Sequence, residues 1–119
     1  MIINGRDIRF RRTVKATCEI ADICPQGDIS KIDELFAGKY QSSQINSAKF
    51  MAILSQGYEM SQKFADPDYK PNPLTEEEVM YLSEEDFNSL FSLAVSAWLG
   101  EKPTVETKPQ KGKKKATEQ

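Results

Sequence analysis

The chain has no histidine among its 119 residues. That removes the commonest general base at neutral pH and the imidazole group of most metal sites. Cysteine is scarce as well, with Cys18 and Cys24 both inside "TVKATCEIADICPQGD". A structural zinc site takes about four N or S ligands, so this pair cannot close one alone. Nor is the C-x5-C spacing the C-x-x-C of a redox pair. On a helix, that separation is about 600° of rotation, which sets the thiols on different parts of the surface. Both cysteines are therefore read as small buried hydrophobes. The glycines of "NGRD", "PQGD" and "AGKY" stand alone, so there is no glycine-rich loop to cradle a phosphate. No apolar run is long enough to cross a membrane, and "MIINGRDIRF" lacks the apolar core of a secretory signal. The expectation is a cytoplasmic protein with reduced thiols, no metal, no cofactor and no enzymatic activity.

What is present begins with charge. The net value of −2 conceals three unlike segments. Residues 1–15 carry five basic side chains against one acid. Residues 16–100 carry five lysines against fourteen acids, and residues 101–119 six lysines against three glutamates. Such asymmetry bears on partners more than on fold.

The pattern predicts a mainly α fold: about five helices in a single domain at 1–100, with a β-hairpin at 1–12 and a helical body at 13–100. Asn4-Gly5 has the chemistry of a type I′ turn, and Ile8 and Phe10 then alternate with Arg9 and Arg11. From Val14 the period becomes helical, with Val14, Cys18 and Ala21 on one stripe and Ile20, Ile23 and Cys24 beside it. Pro25 and Gly27 stop that helix. Asp28 caps a second one, "ISKIDELFAG", ending near Gly38. The longest helix is expected from Ser42 or Ser43 to about Ala65, interrupted by Gly57 in a place that favours close helix packing. "DPDYKPNP" holds three prolines and reads as a linker. Thr75 with Glu78 and Ser83 with Asp86 mark two further helix starts, and Gly100 ends the last helix. Residues 101–119 form a Lys-rich segment whose only aliphatic side chain larger than alanine is Val105. It is read as a disordered tail.

Two surfaces are candidates for function. "RDIRFRR" brackets an aromatic with Arg6, Arg9, Arg11 and Arg12, as a small nucleic-acid-binding regulator would. The acidic body argues against a duplex there, and the preferred reading is a solvated hairpin face partly paired with acids. The acids of "TEEEVMYLSEED" suit helix starts, with an acidic docking surface as the alternative. The second candidate is the large apolar stock of the helices. Either all of it is core, or part of it faces a partner.

The segments "INGRDIRFRRTVKATCEIADICPQGDI", "AKFMAILSQGYEM" and "PNPLTEEEVMYLSEEDFNSLFSLAVSAW" resemble the tail assembly chaperones of long-tailed phages and prophages of Gram-positive bacteria. The resemblance implies a small helical factor of the host cytoplasm. It would bind the apolar, helical tape measure protein, help recruit tail tube subunits during virion morphogenesis, and self-associate in some cases. It also implies two product lengths from a programmed frameshift, for which the lysine run "KGKKK" is suggestive. Client-contacting residues are expected on the long and last helices, at Phe50, Leu54, Tyr58, Phe91 and Trp98.

Overall fold

In the computed structural model, which describes residues 1–100, Asn4 and Gly5 take positive φ values of 51° and 82°. They close a two-residue turn between β1 (Ile2–Ile3) and β2 (Arg6–Asp7), with Ile3 opposite Arg6 and Ile2 opposite Asp7. Both turn residues need the left-handed region, which asparagine and glycine tolerate best. The reading of residues 101–119 as a disordered tail lies outside the described residues.

Residues 8–13 form an extended arm. The Ile8 amide donates to the Met1 carbonyl at 2.8 Å. The Arg11 amide donates to the carbonyl of Leu54, in the middle of the longest helix, at 3.0 Å. Alternation along the arm holds: Ile8 is buried, Phe10 half-buried, and Arg9 and Arg11 exposed.

Thr13 ends the arm and caps α1 (Val14–Ile23), its hydroxyl accepting from the Ala16 amide at 3.0 Å. The buried face of α1 is Ala16 and Ile20, followed by Cys24 just beyond the helix. This corrects the expected stripe, because Val14 is 83 % exposed and Cys18 is exposed too. Only Cys24 is a core cysteine. Its thiol donates to the Ile20 carbonyl at 3.2 Å, and burial, with Asp28 nearby, pushes its pKa up.

The segment expected as a second α-helix is a 3-10 helix over Ile29–Leu35 with a break at Lys31. The Asp28 carboxylate accepts from both the amide and the hydroxyl of Ser30, which tightens the first turn. A stretch this short gains little from α-helical propagation, and 3-10 turns commonly serve as connectors. Asn46 fastens its end by donating to the Leu35 carbonyl at 2.9 Å.

Helix α2 runs Tyr40–Ala65, starting slightly earlier than expected. Its buried face is Ala48, Phe50, Met51 and Leu54, with Ser47, Ser55 and Glu59 also enclosed. The last two hold the proline-rich stretch that follows. Glu59 Oε1 accepts from the Tyr69 hydroxyl (2.8 Å) and the Asn72 amide (2.9 Å), and the Ser55 hydroxyl accepts from the Leu74 amide (2.8 Å). Prolines carry no N–H, and the Asn72 and Leu74 amides beside them are satisfied by side chains of α2. It is a strap rather than a free linker.

The strap leads into α3 (Glu76–Met80), where Thr75 and Glu78 make a reciprocal capping box. Ser83 caps α4 (Glu84–Leu99), accepting from the Asp86 amide at 3.1 Å, and Gly100 ends it in the left-handed region at φ 76°. The core lies where α1, α3 and α4 pack on α2, and it includes Ile20, Phe50, Met51, Leu54, Leu74, Val79 and Leu90.

Candidate interaction surface

The four arginines of the basic stretch do not form a common free patch. Arg6 forks onto Glu78, with both nitrogen–oxygen distances at 2.7 Å. Its Nε and Nη2 also donate to the carbonyls of Asn72 and Pro73, at 3.1 and 3.2 Å. Bidentate pairing of this kind is the strong form of an Arg–carboxylate contact. It holds the Glu78 carboxyl down to about 2, the Arg6 hydrogen bonds being the main cause. Arg9 pairs with Asp7 at 2.8 Å, and the amino terminus holds the other oxygen of that carboxylate at 2.9 Å. Both contacts lower the Asp7 pKa, the amino terminus more so. Arg11 lies over the Tyr58 ring, 5.8 Å from its centroid. Arg12 stacks 3.6 Å above the Trp98 ring and donates to the Trp98 carbonyl at 2.9 Å.

The expected client-contacting residues fare differently from their assignment. Phe50, Leu54 and Trp98 are buried, and Phe91 and Tyr58 are half-buried. Phe50 meets Phe36 and Trp98 edge-on at 5.2 and 5.7 Å between ring centroids, and Phe36 meets Phe91 at 5.2 Å. Such edge-to-face pairs add about 0.5–1.5 kcal/mol each beyond the area they bury. These rings are structural: they join the 3-10 segment, α2 and α4, and none of Phe50, Leu54 or Trp98 offers free surface in this conformation. The correction has a simple cause. Helical periodicity marks a face that prefers to leave water, and the chain's own elements reach that face first.

The open apolar surface lies elsewhere. Between α1 and the second half of α2 runs a groove of about 300 Å³. Ala16 and Gly57 are among its smallest lining residues. Ile53, Met60 and Phe64 supply its apolar wall, and Thr13, Gln56 and Ser61 add polar edges. Lys15 and Glu19 are the charged residues that line it, and they face each other at 3.7 Å. Phe64 is 82 % exposed, an unusual state for a phenylalanine on an otherwise well-packed helix.

Comparison with protein-family models, curated proteins and solved structures returns no match.

The chemistry of the surface therefore has to be read from its own residues. Among the described residues, no group of three or more acids and cysteines is placed to hold a metal ion. No described helix is long and apolar enough to cross a membrane. What the groove can do is take up a second apolar body. Its spacing, Ile53, Gly57, Met60 and Phe64, is the i, i+4, i+7, i+11 stripe of one helix face, met at Gly57 by the arm. That stripe was visible in the sequence, but it ran beside the Phe50–Leu54 stripe on the same helix. Only the packing of α1 and α4 shows which of the two stays open.

Proposed function

We propose that this protein is a phage or prophage tail assembly chaperone that binds the tape measure protein and helps recruit tail tube subunits, acting without catalysis in the host cytoplasm. The three segments quoted above carry the resemblance, and the α1/α2 groove is the observation that supports it physically. A chaperone for a helical apolar client needs an apolar face that its own fold leaves uncovered, and it needs a charged exterior to remain in solution. The groove meets the first need at Ile53, Met60 and Phe64. The acidic body meets the second.

The competing reading, a nucleic-acid-binding regulator, draws no support from the arginines. Arg6 is saturated by Glu78 and two carbonyls, and Arg9 is paired with Asp7.

Co-expression with a tape measure fragment tests the proposal. The full chain should keep the fragment soluble and co-purify with it. Met60→Asp and Phe64→Asp should each abolish capture while the far-UV circular dichroism stays unchanged. A Ser89→Asp control on α4 should retain capture. Failure of the unaltered chain to capture any tape measure fragment sinks the function, whereas capture that survives both groove substitutions sinks the site.

A further inference from the structure

We propose that Asn4 is a site of spontaneous deamidation, gated by the clamp of Arg6 on Glu78, and that the product loosens the amino-terminal hairpin from α3. The proposal does not depend on any client.

The chain has four asparagines, at positions 4, 46, 72 and 88. Loss of ammonia from an asparagine side chain takes the next backbone nitrogen as its nucleophile. Asn72 is followed by Pro73, whose nitrogen has no proton to give up. Asn46 and Asn88 lie inside α2 and α4, where the next amide is engaged in the helix and a serine side chain crowds it. Asn4 precedes glycine. Both residues of that turn are exposed, and a Cβ at Gly5 would meet nothing within 4 Å beyond its chain neighbours. The strand ladder pairs Ile3 with Arg6 and Ile2 with Asp7, so the Gly5 amide lies outside it.

The step is a hydrolysis in two stages. The Gly5 nitrogen loses its proton to solvent and attacks Asn4 Cγ. The new N–Cγ bond forms, the Cγ–Nδ2 bond breaks, and the amide nitrogen takes up a proton and leaves as ammonia. Water then opens the resulting cyclic imide. Attack at Cγ gives aspartate, and attack at the main-chain carbonyl gives isoaspartate. Water is the only co-reactant, and nothing is oxidised or reduced.

The fold controls the first stage. Asn4 is held in the left-handed region, at φ 51°, where the Gly5 nitrogen is turned away from Cγ. Ring closure therefore requires the turn to open. Glu78 opposes that opening from both sides of the turn. Its Oε2 accepts from Asn4 Nδ2 at 3.4 Å, and its two oxygens take the Arg6 fork at 2.7 Å each. The rate in the folded chain is then the intrinsic rate multiplied by the fraction of time the turn is open.

The product undermines the same clamp. A neutral donor facing Glu78 becomes a carboxylate, which repels Glu78 and competes for Arg6. Isoaspartate also adds a methylene to the main chain of a two-residue turn, so Ile3 can no longer face Arg6 in the present register. The reaction runs one way, and a hairpin loosened by it does not regain its hold.

Peptide mapping by mass spectrometry, on the full chain incubated at mildly alkaline pH, provides the test. Asn4 should convert to aspartate and isoaspartate while Asn46, Asn72 and Asn88 remain intact. Conversion should be slower by about tenfold or more than in the same chain unfolded in guanidinium, and Glu78→Gln should speed it by roughly tenfold. Asn4→Asp should lower the folding constant by roughly two- to fivefold, and by less on a Glu78→Gln background. Folded and unfolded chains reacting equally fast would overturn the gating. So would a Glu78→Gln chain that converts no faster than the parent. Asn4 left intact in both folded proteins after the unfolded chain has fully reacted removes the site. An Asn4→Asp effect of equal size on both backgrounds removes the link to Glu78.

Discussion

Replacing Gly57 by alanine should destabilise the protein, although helix propensity alone predicts the opposite. In an exposed helix interior, Gly→Ala gains up to about 1 kcal/mol. Here the added Cβ would lie 2.5 Å from the carbonyl oxygen of Arg11 and 3.4 Å from the Thr13 hydroxyl. The first contact is with backbone, which no rotamer change relieves. The arm must move away from α2, and the Arg11 amide then loses its 3.0 Å bond to the Leu54 carbonyl. Overpacking costs about 1–3 kcal/mol, and the lost hydrogen bond about 0.5–1.5 kcal/mol. Set against the gain in propensity, the net loss is about 2 kcal/mol. For a domain of this size that lowers the melting temperature by roughly 8–16 °C. Urea and thermal unfolding measure the loss directly, with Gln56→Ala, exposed on the neighbouring position, as a control that should shift little. Hydrogen exchange should show the Arg11 amide losing protection in the Gly57→Ala variant. A Gly57→Ala protein as stable as the parent would refute the close approach of arm and helix.

Glu78→Gln should destabilise by about 2 kcal/mol at neutral pH, after discounting for the partial exposure of the pair. The Glu78 pKa is depressed from 4.5 to about 2, so its contribution is complete above about 4.5 and disappears as pH falls toward 2. Parent and variant stabilities should converge over that window, and a difference that does not change with pH would contradict the assignment. Arg12→Ala should cost about 1 kcal/mol through the lost stack and the lost donor to the last turn of α4. Trp98 is the only tryptophan, so its emission reports the change directly. Arg12→Lys should recover only part of the loss, since an ammonium lacks the planar face of a guanidinium. Identical emission spectra for all three proteins would count against the stack.

The elements governed by short-range chemistry were legible in the sequence. Asn4-Gly5 had one turn type available to it, Thr75 and Glu78 had the spacing of a capping box, and Gly100 had a helix before it and Pro103 after. What escaped was anything decided by which neighbour arrives. Val14 and Cys18 lie on the stripe read as apolar, yet both are exposed, while Ala16 and Ile20, on another side of α1, enter the core, because the core is defined by α2 rather than by α1. The break at Gly57 suggested close helix packing, and the element that approaches there is the extended arm. Nothing in the helical period marks Glu59 and Ser55 as buried anchors, because the donors they accept from come from the strap. The candidate site followed the same rule. The most hydrophobic residues, Phe50 and Trp98, were the least available, and the apolar wall of the open groove is Ile53, Met60 and the exposed Phe64.

The contact between Arg12 and Trp98 joins residues 86 positions apart, and Arg6 meets Glu78 across 72. During synthesis, the amino-terminal segment that emerges first meets α2 once Leu54 has been made, but its arginines Arg6 and Arg12 lack Glu78 and Trp98 until almost all of the helical body has followed. Closure of the fold therefore comes late, and its rate carries the loop-closure cost of these distant pairings despite the largely local contacts of the helices. Until Trp98 has been made, the nascent chain can hold the arm through α2, at Leu54 and Tyr58, but not through the Arg12 stack. A pulse of protease against ribosome-bound intermediates would then find the first dozen residues as the last segment to become resistant.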